Sequence, residues 1–407
     1  MQAFFARAQF QFEHPLPAPR EPAAHEMAPN AALSALRGRA LQNTNGPAPK
    51  TCVLARGDYN HPREEVQPGF PAVLGGSLEN TARFQSGGDR SFLTSAVPGP
   101  RTVLANWIAS ADNPLTARVM VNRIWQHHFG HGLVAGPSDF GTRGRAPTHP
   151  GLLDWLAGEF IRSGWSVKQM HRLILRSATY QLSSTASSAA RAQDPENQLL
   201  SHQNRVRLEG EVIRDSLLAT SGRLNPQMDG PSVALPIPAE VTSTGKSGAA
   251  GDGHPERHRR SLYLFARRNL RLPFLEVFDA PDSALTSPER GRSTTAPQSL
   301  TLLNSMEVIA AARATANRLR REARSDEERL NLAFRLVLGR WPNPKERAMA
   351  QEFIASARHR TEAPGPSTAV NSKSPNEGDT PLSMGPSEEW AELCRALFNL
   401  NTFVYAD

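Results

Sequence analysis

The stretch NPLTARVMVNRIWQHHFGHG, which begins at Asn113, constrains the fold most because it predicts a capped helix with a glycine-rich exit. Asn113 is a good N-cap residue, and Pro114 suits the first helical position because its missing N–H would have no partner there. Either Gly130 or Gly132 supplies the left-handed backbone that ends a helix. We therefore predict a central helix over 113–130.

The apolar side chains of this helix recur at helical spacing and predict one buried face. That face comprises Leu115, Val119, Trp125 and Phe129. Arg118 and Asn122 lie within the same stripe, so we expect both to be partly buried and hydrogen-bonded, and both are candidates for ligand binding. For Asn122 we predict a partner outside its own helix.

The length and composition predict two globular lobes joined by irregular segments. A chain of 407 residues is long for one core, and its 33 Pro and 29 Gly interrupt regular structure. The fold class is mainly α, with minor short β-strands and long irregular loops. The predicted order is a poorly ordered extension over 1–50, a first helical lobe over 51–224, an irregular connection over 225–258, a second lobe over 259–358, a disordered linker over 359–387 and a C-terminal helix over 388–407 that docks on the second lobe.

Hydrophobic periodicity and breakers place the remaining elements. The chain after the central helix divides into two helices at Gly164, with Ser166 as the cap of the second. Further elements are a short strand over 52–54, a short helix over 101–109, a helix over 208–221 with Val212, Leu217 and Leu218 as its apolar members, a strand over 259–269, a short helix at PFLEVFD, a long helix over 297–321, and helices over 329–338 and 344–358.

The charge and the cysteines limit the classes of partner and cofactor. The net charge of +7 permits nucleic acid, acidic polysaccharide or anionic lipid as a partner, but arginine-rich coding in a GC-rich genome is the favoured explanation. Cys52 and Cys394 form no CxxC pair, so the sequence predicts neither a zinc site nor covalent haem, and it leaves a disulfide open. We predict no cofactor and no transmembrane segment, since no apolar run approaches the roughly 18 to 20 residues that span a bilayer.

Few catalytic motifs are present. The sequence lacks a nucleophile elbow, a phosphate-binding loop, a GxGxxG turn and an HExxH helix. His127 and His131 are four residues apart and could share a helix face as metal ligands, but the glycines that end the helix favour histidines that satisfy helix-end carbonyls. Asp139 and His149 flank the following loop and could form an acid/base dyad, although structural hydrogen bonding is favoured.

Two further polar groups have alternative interpretations. Arginine and carboxylate residues between 205 and 215 suit solvated ion pairs or a clamp for carbohydrate or phosphate. The ligand-binding candidates among them are Arg205, Arg207 and Arg214. The helix, break and helix around Gly164, with Lys168 and Arg172, also resemble a DNA-reading unit, but ordinary helix packing explains them and nucleic acid is not favoured.

Several strings in order resemble a planctomycete-type domain of unknown function, number 1553. They are VLARGDYNHPREEVQPGFPAVL, NPLTARVMVNRIWQHHFGHGLVAGPSDFGTRG with HPGLLDWLA, RRSLYLFARRN with FDAPD, RSTTAPQSLTLLN, and LCRALFNLNTFVYAD. The resemblance covers roughly residues 51 to 407, and larger relatives often carry a cytochrome-c-like domain. It implies a periplasmic or extracellular location but no catalytic residues. This chain departs from the pattern in lacking CxxCH and a signal peptide, and in having Thr402 where the family has Glu, which makes it look like a shortened member.

Together these observations predict a binding or assembly module of an envelope-associated system, with another envelope protein or an acidic glycan as partner. The alternative is a hydrolase acting on polysaccharide or sulfated glycans. A pocket with convergent polar side chains would favour the enzyme, whereas a filled core would favour the module.

Overall fold

A computed structural model of the chain describes eight segments of the sequence. They are residues 8–12, 39–43, 50–67, 69–71, 100–235, 255–266, 271–362 and 388–406. Most of the predicted N-terminal extension and residues 363–387 of the predicted linker lie outside the described residues. Contacts divide the described chain into an N-terminal unit that ends at Asn204 and a C-terminal unit that begins at Arg205. The division precedes the 225–258 stretch, so the helix predicted over 208–221 belongs to the C-terminal unit.

The N-terminal unit combines helices with two small antiparallel ribbons. Its elements are β1 (Ala8–Phe12), β2 (Arg39–Asn43), β3 (Cys52–Leu54), β4 (Pro62–Glu65), α1 (Pro100–Ile108), α2 (Thr116–Phe129), α3 (Pro150–Arg162), α4 (Val167–Leu175) and α5 (Ser188–Gln193). Strand β1 pairs with β2, and β3 pairs with β4. Helices α2, α3 and α4 enclose an apolar core that includes Val121, Leu153 and Met170. The mainly helical fold class is thus confirmed.

Helix α2 is the predicted central helix, shorter by a few residues at its start. The Asn113 side chain accepts hydrogen bonds from the backbone N–H groups of Leu115 and Thr116, which is the predicted capping role. The helix ends at Gly130, whose φ of 86° suits glycine. The buried face differs from the prediction, because Leu115 and Val119 are only half-buried and line an open groove. Its core residues are instead Ala117, Val121, Ile124, Trp125 and Phe129.

Asn122 is fully buried and ties the helix to the loop that follows it. Its side-chain oxygen accepts a hydrogen bond from the backbone N–H of Val134 at 2.9 Å, and its amide nitrogen donates to the Val134 carbonyl at 3.1 Å. A Cβ atom at Gly132 would lie 2.7 Å from the Asn122 amide nitrogen, so the loop needs glycine to approach the helix this closely. The prediction of a buried Asn122 with a partner outside its own helix is confirmed.

The boundary between α3 and α4 follows the predicted signals. Gly164 has a φ of 69°, a left-handed backbone that glycine adopts without strain. The Ser166 side chain then accepts a hydrogen bond from the backbone N–H of Gln169 and caps α4. On α4 itself, Met170 and Ile174 are buried in the core.

The C-terminal unit is built from helices around one core. Its elements are β5 (Val206–Arg207), α6 (Gly210–Thr220), α7 (Pro273–Val277), α8 (Ala296–Asn304), α9 (Met306–Glu322), α10 (Asp326–Leu338), α11 (Pro344–Glu362), α12 (Glu388–Phe398), α13 (Asn401–Val404) and β6 (Tyr405–Ala406). Its core includes Ile213, Leu319 and Phe334, and β5 pairs antiparallel with β6. Helix α11 continues to Glu362, into the predicted linker. No helix in the described parts of the chain is long and apolar enough to cross a membrane.

Several predicted elements differ in the structure. The long helix predicted over 297–321 is two helices, because Ser305 has an extended backbone and its side chain caps α9 through the Val308 N–H. The described part of the predicted strand over 259–269 contains a 3-10 turn, Ser261–Tyr263, and two isolated bridges, from Arg259 to Asn225 and from Leu264 to Val233. On α6, Val212 is exposed and Ile213 is the core residue instead.

Helix α12 is an integral part of the C-terminal core. Trp390 is 1% exposed and packs with Leu393 and Leu397 among the core residues of α9 and α10. Arg313 of α9 also forms an ion pair with Glu388 at 3.2 Å. The helix predicted over 388–407 is shorter in the structure, because α12 ends at Phe398, and Leu400 beyond that end is 42% exposed.

Candidate functional site

A cavity of about 800 Å³ opens in the C-terminal unit among α6, α7 and α9. Most of its wall is apolar. Of its cationic residues, Arg214 lies on α6, Arg223 follows α6, and Arg257 lies in the 3-10 turn Pro255–His258. The lining residues are Arg214, Leu217, Leu218, Arg223, Leu235, Arg257, His258, Leu272, Pro273, Phe274, Leu275, Val277, Thr301, Ser305, Met306, Glu307, Ala310 and Ala311. We call it the arginine cavity.

Arg214 is a largely buried cation whose donors are used by the surrounding backbone. One terminal nitrogen donates to the Arg259 carbonyl at 3.0 Å and to the Ser261 hydroxyl at 3.1 Å, and the other donates to the Arg257 carbonyl at 2.6 Å. Burial, more than any charge nearby, lowers the pKa of this guanidinium from its usual value. Arg214 therefore holds the chain at Arg257–Ser261 against α6.

The neighbouring carboxylate completes this attachment. Asp215 Oδ1 accepts hydrogen bonds from the backbone N–H and the hydroxyl of Ser261, both at 2.7 Å. The same oxygen lies 3.6 Å from the Arg214 guanidinium. Buried polar groups are stable only when they are paired, and this set pairs its backbone and side-chain groups with each other.

Arg223 and His258 form a second polar contact on the cavity wall. A terminal nitrogen of Arg223 donates to Nε2 of His258 at 2.6 Å, which requires that nitrogen to be unprotonated. Burial lowers the pKa of His258, and the positive charges of Arg223, Arg214 and Arg257 lower it further. His258 is consequently a neutral imidazole at neutral pH, and the remaining ring proton is carried by Nδ1.

The balance of charge in the lining is positive. Among the described residues that line the cavity, Glu307 is the acidic one, and it is exposed at the start of α9. Arg214, Arg223 and Arg257 are the cations. A wall with this balance attracts a negatively charged group, and the attraction is stronger where water is partly excluded.

Arg259 follows His258 in the chain but does not line the cavity. It is 1% exposed, and its guanidinium donates to the carbonyls of Pro231, Gln227 and Asp229. The guanidinium carbon lies 4.0 Å from the centre of the Tyr263 ring, a cation–π distance. These bonds hold the chain at 227–231 against the segment that contains His258 and Arg259.

The sequence-predicted candidates lie in three different places. Arg214 lines the arginine cavity, whereas Arg207 donates to the Thr294 hydroxyl at 3.3 Å and lies, like Arg205, over the Tyr405 ring. Arg118 and Asn122 belong to the N-terminal unit. Arg118 forms an ion pair with Asp154 at 2.6 Å on the surface, and Asn122 forms hydrogen bonds with the backbone of Val134. The two side chains therefore do not converge on one ligand.

The loop candidates are likewise separate. His149 Nδ1 lies 3.0 Å from the Thr148 hydroxyl, and Asp139 is exposed. Within the described residues, Asp139 and His149 share no hydrogen bond. The two residues remain candidates for chemistry, but the structure gives them different neighbours.

The histidines near the end of α2 are arranged differently from the predicted spacing. His127 and His131 are exposed, and His131 follows the glycine at which the helix ends. His128 instead contacts His171 of α4, with Nε2 and Nδ1 2.8 Å apart. In the part of the chain that the structure describes, no group of three or more His, Cys, Asp or Glu side chains could hold a metal ion.

Sequence reasoning missed Arg223, Arg257 and His258 as site residues. They lie in or beside the 225–258 stretch, whose lack of periodicity indicates only an irregular connection. One signal does exist, because the basic run RHRR from Arg257 to Arg260 is the densest cluster of cations near that stretch.

Comparison with protein families gives a match that covers most of the helical region. Residues 100–354 match the model of PSD1, described as a protein of unknown function (DUF1553). The comparison with curated proteins and the comparison with solved structures each give no match. The matched range includes α1–α10 and every residue of the arginine cavity. The chain therefore belongs to this family of proteins of unknown function.

Proposed function

We propose that the protein is a non-catalytic binding or assembly module of an envelope-associated system, and that it binds an acidic ligand in the arginine cavity. The observation that carries this proposal is the concentration of three arginines on a cavity of about 800 Å³. That volume lies within the range of roughly 300–1,000 Å³ typical of small-ligand pockets.

Arg214 and Arg223 have different roles in the proposed binding. Arg214 is committed to the carbonyls of Arg257 and Arg259, so it positions the wall. The Arg223 guanidinium makes one hydrogen bond in the described structure, to His258, out of the five N–H donors that a guanidinium carries. Arg223 is therefore the residue that we expect to contact an anionic group directly.

A thermal-shift screen tests the binding role. The full chain is melted with sulfated and uronic-acid glycans and with small carboxylates and phosphates, because a ligand that prefers the folded state raises the melting temperature. Arg223→Gln should abolish the shift. Arg320→Gln is the matched control, because Arg320 is exposed on α9 and does not line the cavity.

The outcomes separate the proposal from its rivals. A shift lost in Arg223→Gln and kept in Arg320→Gln supports binding in the cavity. No shift with any anion, or equal shifts in both variants, contradicts it. Release of sugar or sulfate from a glycan, lost on Asp139→Asn or His149→Gln, would instead support the alternative of a hydrolase.

A further inference from the structure

We infer that the ligand of the arginine cavity is an amphipathic acid, with one anionic head and an apolar body, rather than an acidic glycan. This inference rests on the proposed binding function and narrows its ligand class. It follows from how the polar and apolar groups of the lining are distributed.

Two of the polar side chains that line the cavity lie close together. Arg223 and His258 are in direct contact at 2.6 Å. Because His258 Nε2 accepts that bond, its ring proton lies on Nδ1, and His258 lines the same cavity. A guanidinium with unused N–H groups suits one carboxylate or phosphate, which it can bind in a bidentate manner.

The rest of the wall suits a body without hydroxyl groups. Leucine side chains from α6 and the segment before α7 line it together with Phe274 and Met306. Two lining hydroxyls have local partners: Thr301 donates to the Pro297 carbonyl at 2.8 Å, and Ser305 accepts a hydrogen bond from the backbone N–H of Val308. Because most of the wall is apolar, a bound sugar would place most of its hydroxyls against apolar side chains, and unpaired polar groups are costly to bury.

Small residues leave room for that body. Ala310 and Ala311 of α9 line the cavity, and Ala311 is buried in the core. Ala310 is only half-buried, so a larger side chain there can occupy part of the space while the core packing around Ala311 is kept. Ala310→Leu is thus a way to shorten the apolar part of the cavity without changing its charge.

The test is calorimetric titration of the full chain with butanoate, hexanoate, octanoate and decanoate, below their micellar concentrations, and with 1-octanol. Each added methylene should tighten binding roughly two- to fourfold until the cavity is full, because burial of each methylene is favourable. Arg223→Gln should weaken the binding of every carboxylate at least tenfold and leave the binding of 1-octanol unchanged. Arg320→Gln should change none of these affinities.

Ala310→Leu should remove the gain in affinity between hexanoate and decanoate and leave the affinity for butanoate unchanged. Equal affinities along the series, or a decanoate affinity that Ala310→Leu does not reduce, would overturn the inference. If acidic glycans bind in an Arg223-dependent manner and the fatty acids do not bind, the inference of an amphipathic ligand is wrong but the proposed binding function stands. If no anion binds at all, both are wrong.

Discussion

The Nε2 atom of His128 lies 2.8 Å from the Nδ1 atom of His171, so two imidazoles join α2 to α4 through one hydrogen bond. Such a bond needs one N–H and one lone pair, and it is lost when both rings are protonated. Partial burial lowers the pKa of His128, and the charges of His171 and His127 lower it further.

The stability of the N-terminal unit should therefore fall as the pH drops. Below the ordinary histidine pKa of about 6.5, His128 binds more protons in the unfolded chain than in the folded one. Its contribution to the free energy of unfolding is therefore fully present above that pH and is lost as the pH falls through the lowered pKa of His128. Urea denaturation at pH 7.5 and pH 5.0 measures the difference. His128→Gln should reduce it, and the exposed His131→Gln should not. His258, whose pKa is also lowered, should make a contribution of the same sign to the stability of the C-terminal unit. An unchanged difference in His128→Gln would contradict this origin.

Asn122→Leu should destabilise the protein by about 1–3 kcal/mol, because it leaves the buried N–H and carbonyl of Val134 without partners. Arg123→Leu places the same side chain at the next, exposed position and should change stability by no more than about 0.5 kcal/mol. Chemical denaturation of both variants provides the comparison. Equal melting of Asn122→Leu and the parent would show that the contact contributes nothing.

Two tryptophans of the C-terminal unit should respond very differently to truncation. Trp390→Ala removes a side chain that is 1% exposed in the core and should cost about 3–5 kcal/mol. Trp341 is 59% exposed and lies under the Arg335 guanidinium at 4.9 Å, so Trp341→Ala should cost less than about 1 kcal/mol. Thermal unfolding checks both. A small effect of Trp390→Ala would mean that α12 does not depend on its core contact.

Arg259→Lys should destabilise the chain at 227–231, because an ammonium group cannot reproduce the planar fork that serves three carbonyls and stacks on Tyr263. We expect a loss of about 1–3 kcal/mol. Arg260→Lys is the neighbouring control at an exposed position. Amide exchange should increase at 227–230 in the first variant alone, and similar exchange in both would contradict the role of Arg259.

The sequence predicted local elements well wherever one signal acted on neighbouring residues. Asn113, Gly164 and Ser166 act through bonds and backbone angles within their own turns, and the structure uses all three as predicted. The break at Ser305 has the same kind of cap, but the apolar period continues across it and hides it.

The candidate site was harder to predict because its residues meet only through tertiary contacts. Arg214 and Arg257 are 43 residues apart, and Arg223 and His258 are 35 apart. No periodicity connects such positions. The histidine pair illustrates the same limit, since spacing draws attention to His127 and His131 whereas packing brings His128 to His171.

The pairing of β5 with β6 places Val206 opposite Ala406, next to the two ends of the C-terminal unit. The unit therefore returns to its starting point and is closed by its own termini, an arrangement that tolerates circular permutation. A short linker from residue 407 to residue 205 would join these ends covalently, and new termini could be opened within 363–387. Such a permuted chain would have α12 as its first helix and α11 as its last, and it would keep the residues that line the arginine cavity in their present order.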